Sequence, residues 1–390
     1  MESENMKRRG HDFSHVTYIN QTFGMGGAET VNRDLLLALQ EKNIAVQAYT
    51  THQPFAQMLA DAGVETQRLP VEIDIIGDWK GIVKVLALWP FALLQYAQLV
   101  WKVRKTDVIV MSGFFEKIFV SPIAKWLHVP VVWVEYAPMT AVFQKFRGVP
   151  GWIYRWALRY PNRIIVPTAH TKKYFEQQLP STKDKLVVLP CARYRLDVKK
   201  YETAPTSPPT IVTVSRMEPG KGQDILVRAF AKVKKNVPAA QLRLVGAGRF
   251  SEVVAQEVSR LGLSDSVKLL GWVEDPLKEV AQASICVFPS VWPLEGFGMV
   301  TIEAMALGKP VVAFKCGPTP YILTDGETGL LAEAGNSDAL ADHIIRVLKD
   351  KTLAAKLGKN AQRTFQERYC FEHIIDQYID VCTAAKAGQK

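Results

Sequence analysis

The sequence has little cysteine and none of it paired. Its five cysteines, Cys191, Cys286, Cys316, Cys370 and Cys382, form no CxxC motif and are odd in number. That argues against a disulfide framework and against a structural zinc site, and it favours a reducing, cytoplasmic setting. The opening residues, MESENMKRRG, carry no apolar core of the kind a secretory signal needs. Low-complexity tracts and short-period repeats are also missing, which excludes solenoid and propeller architectures. Long apolar runs are scarce. One stretch, residues 82–101 (IVKVLALWPFALLQYAQLVW), has about the length of a membrane span, but Lys84, Pro90, Gln95 and Gln98 interrupt it. The expectation is a partly buried hydrophobic helix that can touch a bilayer surface.

What is present describes a globular protein. Hydrophobic residues make up 48% and charged residues 22% of 390, enough for more than one core. The formal net charge is +10, with a sequence pI near 9.2. A basic surface suits nucleic acid, anionic lipid or a phosphorylated substrate, and charge alone does not choose among them.

Short apolar runs alternate with helical patterns. Residues 16–20, 44–50, 108–111, 131–135 and 164–167 read as strands, with a helix over 28–41. Near Tyr201 the composition turns to YETAPTSPPT, linker-like in its Pro, Ser and Thr. Alternation then restarts with strands at 211–214, 242–245, 267–269, 285–288 and 311–313. Strand–helix alternation implies parallel pairing, because parallel strands need crossover connections. Two α/β units are therefore expected, with ligands at the carboxyl ends of the strands and a cleft between facing loops as the natural site.

Three segments carry the chemistry. In 21–29 (QTFGMGGAE), glycines follow the first strand and precede a helix, so backbone amides and a helix N-terminus can approach an anion. A tight strand-to-helix turn explains the same residues, and the GxGxxG spacing is absent. In 214–222 (VSRMEPGKG), Arg216 and Lys221 flank a turn where the second unit's first strand ends. They read as a diphosphate clamp or as solvated surface charges. In 289–308 (PSVWPLEGFGMVTIEAMALG), a loop carries Glu295 and a helix beginning near Gly298 carries Glu303 among apolar neighbours. Buried there, Glu303 needs hydrogen-bond donors, which a ribose diol would supply; reaching solvent or capping a loop is the alternative. Gly296 and Gly298 let amides approach a phosphate.

Together these segments resemble the family 4 retaining glycosyltransferases of the group 1 type. The resemblance rests on Gly26-Gly27 after the first strand, Arg216 with Lys221, and Glu295 and Glu303 separated by seven residues. It is strongest over residues 211–331, where GKPVVAF, GPTPYI and DGETGLL also match. It implies the GT-B fold: two Rossmann-like domains facing each other across a cleft. Residues 1–200 would form the acceptor-side domain and 201–370 the nucleotide-sugar domain, with a helix over 371–390 packing back on the first.

The resemblance also implies roles. Arg216 and Lys221 would neutralise the diphosphate leaving group, Glu303 would hold the ribose hydroxyls, and Glu295 would contact the donor sugar. Gly26 and Gly27 would bring amides to the phosphates or sugar, and Val273 would lie against the base. Phe297, Gly298, Met299 and Val300 would supply backbone amides. The implied reaction moves a hexose from a UDP- or GDP-sugar, with retention discussed as same-face attack. No DxD motif is present, so no metal is needed to explain diphosphate binding, and no cofactor beyond the donor is implied.

Two departures stand out. Many members carry a His where this chain has Val134-Glu135-Tyr136, so Glu135 or Tyr136 would have to face the sugar or the acceptor. The loop KCGPTPY (315–321) replaces a glycine by Cys316 and a glutamate by Pro320 or Tyr321. A nucleotide-sugar-binding protein without catalysis is therefore the alternative, followed by an epimerase or hydrolase on this fold. The partners implied are a nucleotide sugar and a glycan or lipid-linked acceptor. Residues 143–160 interleave Phe143, Phe146, Trp152, Tyr154, Trp156 and Tyr160 with Lys145, Arg147, Arg155 and Arg159. The mixture suits an anionic membrane surface, and equally a packed helix with a solvated face; no nucleic-acid motif accompanies it.

Overall fold

The computed structural model describes residues 13–22, 24–73, 79–143, 148–201 and 207–388. Four of the stretches singled out above fall partly or wholly outside: the first ten residues, Phe23 of the glycine-rich turn, Lys145, Phe146 and Arg147 of the aromatic and basic stretch, and 202–206 of the linker-like segment. The chain divides into two compact units. One takes it through Pro167, then Lys172–Pro190 and the residues from Ile374 onward; the other takes Thr168–Thr171 and Cys191–His373.

The first unit holds seven strands: β1 (His15–Asn20), β2 (Ala45–Thr50), β3 (Glu65–Arg68), β4 (Val108–Met111), β5 (Val131–Val134), β6 (Arg163–Val166) and β7 (Leu186–Val188). They are ordered β3-β2-β1-β4-β5-β6-β7 and every pair is parallel. The central strands VIVM and VVWV are buried at every position, as strands covered on both faces must be. β3 reads ETQR and is mostly exposed, which suits an edge.

A helix over Trp79–Lys102 packs on this unit with Ala92, Tyr96, Leu99 and Val100 turned to the core at helical spacing. Its Gln95 is spent locally: the side chain accepts from Val71 N at 2.8 Å and donates to Val71 O at 3.1 Å. Among the described residues no helix is long and apolar enough to cross a membrane. The same helix exposes Phe91, Leu94 and Trp101. Trp126 at the end of the helix Phe115–Trp126 and Trp152 in the helix Val149–Ala157 are exposed too.

The second unit holds β8 (Thr210–Val214), β9 (Gln241–Val245), β10 (Val267–Gly271), β11 (Ile285–Phe288), β12 (Val311–Phe314) and β13 (Leu330–Ala332). Their order is β10-β9-β8-β11-β12-β13, again parallel throughout. β8 leads to β9 on one side while its other neighbour, β11, leads to β12 on the other. The sheet therefore reverses direction between β8 and β11, and the loops leaving those two strands diverge to open a crevice at their carboxyl ends. Both units are Rossmann-like α/β sheets.

Candidate functional site

The second unit's site begins with the loop leaving β8. Arg216 is exposed there, and among the described residues it makes no ion pair. The loop beneath it is fixed: the Gln223 amide donates to Ser215 Oγ at 2.7 Å and to Arg216 O at 3.0 Å. Met217 is buried and donates its N–H to Ala247 O at 3.0 Å. Gly222, the residue before the helix Gln223–Asn236, has φ +76°, and a Cβ on it would lie 1.9 Å from Pro289 O. Only glycine lets the two loops approach so closely.

The loop leaving β11 meets the first loop through further bonds. Val291 N donates to Gly220 O at 2.9 Å. The Lys221 ammonium sits 2.8 Å and 2.7 Å from the two oxygens of Glu295, which also accepts from Ser290 Oγ at 2.9 Å. The same ammonium lies 5.4 Å from the centre of the Trp292 ring. Glu295 and Lys221 are thus brought together, but as a pair rather than as a cation standing open to a ligand beside a separate carboxylate. Arg216 is the open cation of the loop.

Gly298, at φ +85°, turns the chain into the helix Met299–Ala306. The first amides of that helix have no carbonyl four residues back to bond, so Met299 and Val300 sit where backbone N–H groups can meet an anion. Phe297 contributes backbone only, since its ring is buried edge-on against Tyr369 with centres 6.0 Å apart. Glu303 is largely buried on the same helix and is held by the guanidinium of Arg193. Val273 is half-buried on the loop after β10, beside an exposed Trp272. Burial pushes the Cys286 thiol up to about 12 with Glu303 adding to it, and burial raises Cys316, with Glu295 adding. Neither supplies a thiolate near neutrality.

In the first unit, Gly26 and Gly27 are exposed at the start of the helix Gly27–Glu41, Gly26 extended at the cap and Gly27 the first helical residue. Glu135, expected at the sugar or the acceptor, is instead found buried: it is 2% exposed, 2.5 Å from Lys117 Nζ, and accepts the Tyr154 hydroxyl at 2.6 Å. A carboxylate at the end of a buried strand needs such partners, and Lys117, in the first turn of the helix Phe115–Trp126 that precedes the strand, supplies the charge. The neighbouring Tyr136 is half-buried and donates its hydroxyl to Asn32 Oδ1 at 2.5 Å.

Three residues absent from the sequence-based set matter here. Arg193 holds Glu303. Lys117 holds Glu135. Glu116 is fully buried where β1 and β4 end, its Oε1 accepting the N–H groups of Gln21 at 3.3 Å and Gly113 at 2.5 Å. Burial raises its carboxyl to about 7. The signal for the last two was the adjacent charges of SGFFEK directly after the apolar run VIVM. Among the described residues no cluster of three His, Cys, Asp or Glu side chains suits a metal ion.

The family model described as glycosyl transferases group 1 matches residues 195–364, and that described as glycosyltransferase family 4 matches 25–192. The N-acetyl-α-D-glucosaminyl L-malate synthase of Bacillus anthracis is 32% identical over 181 residues, 46% of this chain and 47% of that protein. The GDP-mannose-dependent α-(1-6)-phosphatidylinositol monomannoside mannosyltransferase of Mycolicibacterium smegmatis is 33% identical over 159 residues, 38% of this chain and 41% of that protein. The chain thus spans less than half the length of these two curated relatives. HepE of Anabaena, solved with UDP, superposes with a TM-score of 0.78 at 22% identity, covering 94% of this chain and 98% of that one.

Proposed function

Because the chain belongs to the group 1, family 4 glycosyltransferases, we propose that it moves a hexose from a UDP- or GDP-sugar to a glycan or lipid-linked acceptor, with retention at the anomeric carbon. The observation that carries the reading is the crevice between β8 and β11, with Arg216 exposed on one loop and helix amides beginning at Met299 on the other. In transfer, the bond from the anomeric carbon to the diphosphate oxygen breaks. The acceptor oxygen bonds to that carbon from the same face, and its proton passes to the leaving phosphate. Negative charge grows on the leaving oxygen, and a cation and amides already in place favour that state over the ground state.

Lys221 enters this scheme through Glu295. Two of its three donors face the carboxylate, and the third is left for a phosphate oxygen. The pair also fixes Glu295, so a sugar hydroxyl meets a carboxylate of defined orientation. Donor binding in this reading needs no metal, so activity persists in excess chelator; loss on chelation with recovery in magnesium or manganese removes that part. Support for the donor class comes from relatives: one is GDP-mannose-dependent by name, and HepE was solved with UDP.

A membrane-facing first unit completes the reading. Phe91, Leu94, Trp101, Trp126 and Trp152 are exposed, and Lys102, Arg104, Lys125, Arg155 and Arg159 are exposed beside them. Exposed aromatics interleaved with cations suit an anionic headgroup layer, where a lipid-linked acceptor would be met, placing the protein peripherally on the cytoplasmic leaflet.

The testing experiment offers purified protein UDP- and GDP-hexoses one at a time, following thermal stability and release of nucleoside diphosphate with and without acceptors. Stabilisation by one donor and acceptor-dependent release support the proposal. Binding without transfer to any acceptor favours the binding-protein alternative, which the burial of Glu135 makes worth separating. Release to water alone indicates a hydrolase.

A further inference from the structure

Arg193 has no part in the reaction as read so far, yet its placement against Glu303 is specific. The backbone of Arg193 is fixed on both sides: its N–H donates to Tyr369 O at 2.9 Å and its carbonyl accepts from Phe371 N at 2.9 Å. From that anchored position the guanidinium reaches Glu303, and the two side chains are 9% and 15% exposed. Tyr369 also carries the ring that packs on Phe297. One short segment, 369–371, therefore braces both the arginine that holds Glu303 and the turn that starts its helix.

The physical effect of the guanidinium is twofold. A guanidinium in contact, with its planar fork, sets the plane of the Glu303 carboxylate. It also cancels a negative charge that would otherwise stand near a bound diphosphate.

We infer that Arg193 is a positioning residue that holds Glu303 oriented toward the ribose diol, and so sets the site's preference for ribonucleotides. This rests on the donor-site reading given above. It differs from a purely structural role in one respect. A structural pair changes the affinity for all nucleotides alike, whereas a positioning pair changes the difference between a ligand with the diol and one without it.

The experiment is calorimetric titration of the full chain with UDP and GDP, and with their 2′,3′-dideoxy counterparts. Wild-type protein favours the ribonucleotide that it binds by about tenfold or more, the scale of hydrogen bonds to a charged acceptor. In Arg193→Met the preference falls to near unity, because the plane of the Glu303 carboxylate is no longer set. Arg193→Lys keeps the charge without the fork and recovers part of it. A wild-type preference in folded Arg193→Met overturns the inference. Should that variant fail to fold, Arg193→Lys decides: an undiminished preference there overturns it equally. Wild-type protein that binds neither UDP nor GDP instead removes the donor-site reading, a result distinct from binding that is indifferent to Arg193.

Discussion

Lys221 and Glu295, 74 positions apart, meet as an ion pair across the two loops that leave adjacent strands. Glu303, one turn into the following helix, answers to a different cation. The two glutamates should therefore fail differently. Glu303→Ala weakens binding of the bare nucleoside diphosphate by about tenfold or more. Glu295→Ala leaves that binding nearly intact and lowers transfer. Equal losses of nucleotide affinity in the two variants contradict the division.

Arg216 is the exposed cation of the loop. Its replacement by Ala should cost turnover about a hundred- to a thousandfold, as loss of one preorganised charge stabiliser does, with the melting temperature unchanged. Turnover at the wild-type level in purified Arg216→Ala removes its assignment.

Glu116 gives a pH signature of stability. Burial raises its carboxyl from an ordinary 4.5 to about 7. Between those values the folded chain holds a proton that the unfolded chain has released, so stability from this group falls as pH rises from about 4.5 to about 7. The loss is about 3 kcal/mol, at 1.36 kcal/mol per pKa unit. Glu116→Gln should remove this slope and be the more stable protein at pH 8, while matching wild type near pH 5. Urea unfolding at the two pH values measures it; parallel pH dependence in the two proteins refutes it.

The exposed aromatic and basic side chains of the first unit predict reversible, salt-sensitive binding to anionic vesicles and little to neutral ones. Each cation near an anionic surface contributes about 1 kcal/mol. Arg155 and Arg159 are exposed, Arg159 lying over the Trp156 ring at 5.7 Å. Exchanging both for Glu should reduce sedimentation with anionic vesicles at low salt. Equal sedimentation with neutral and anionic lipid counts against a membrane role.

The strands legible in the sequence are those buried on both faces, because a continuous apolar run such as VIVM or ICVF has few other uses. The strands missed, β3, β7 and β13, are short or edge-placed, and β3 is polar: ETQR looks like a loop until a neighbour is there to pair with it. The candidate site shows the same limit. Arg216, Lys221, Glu295 and Glu303 were readable from local spacing. Their partners were not, because Arg193 lies 110 positions from Glu303 and nothing in its own surroundings, CARY, marks it as a ligand to a carboxylate. Glu135 shows the same limit: its place at a strand end was legible, while the lysine paired with it lies 18 positions away on the helix Phe115–Trp126.

The contact at Gly222 has a consequence for anyone wishing to alter donor choice. With room for no side chain between it and Pro289 O, the loops after β8 and β11 behave as one casting, and a change in either is felt in both. The loop after β10 has no such weld: Trp272 projects from it with 77% of its surface exposed, and Val273 and Glu274 follow. On the proposed donor-site reading, in which Val273 lies against the base, variation for a new base belongs at residues 272–274, where sequence can be exchanged without disturbing the two joined loops.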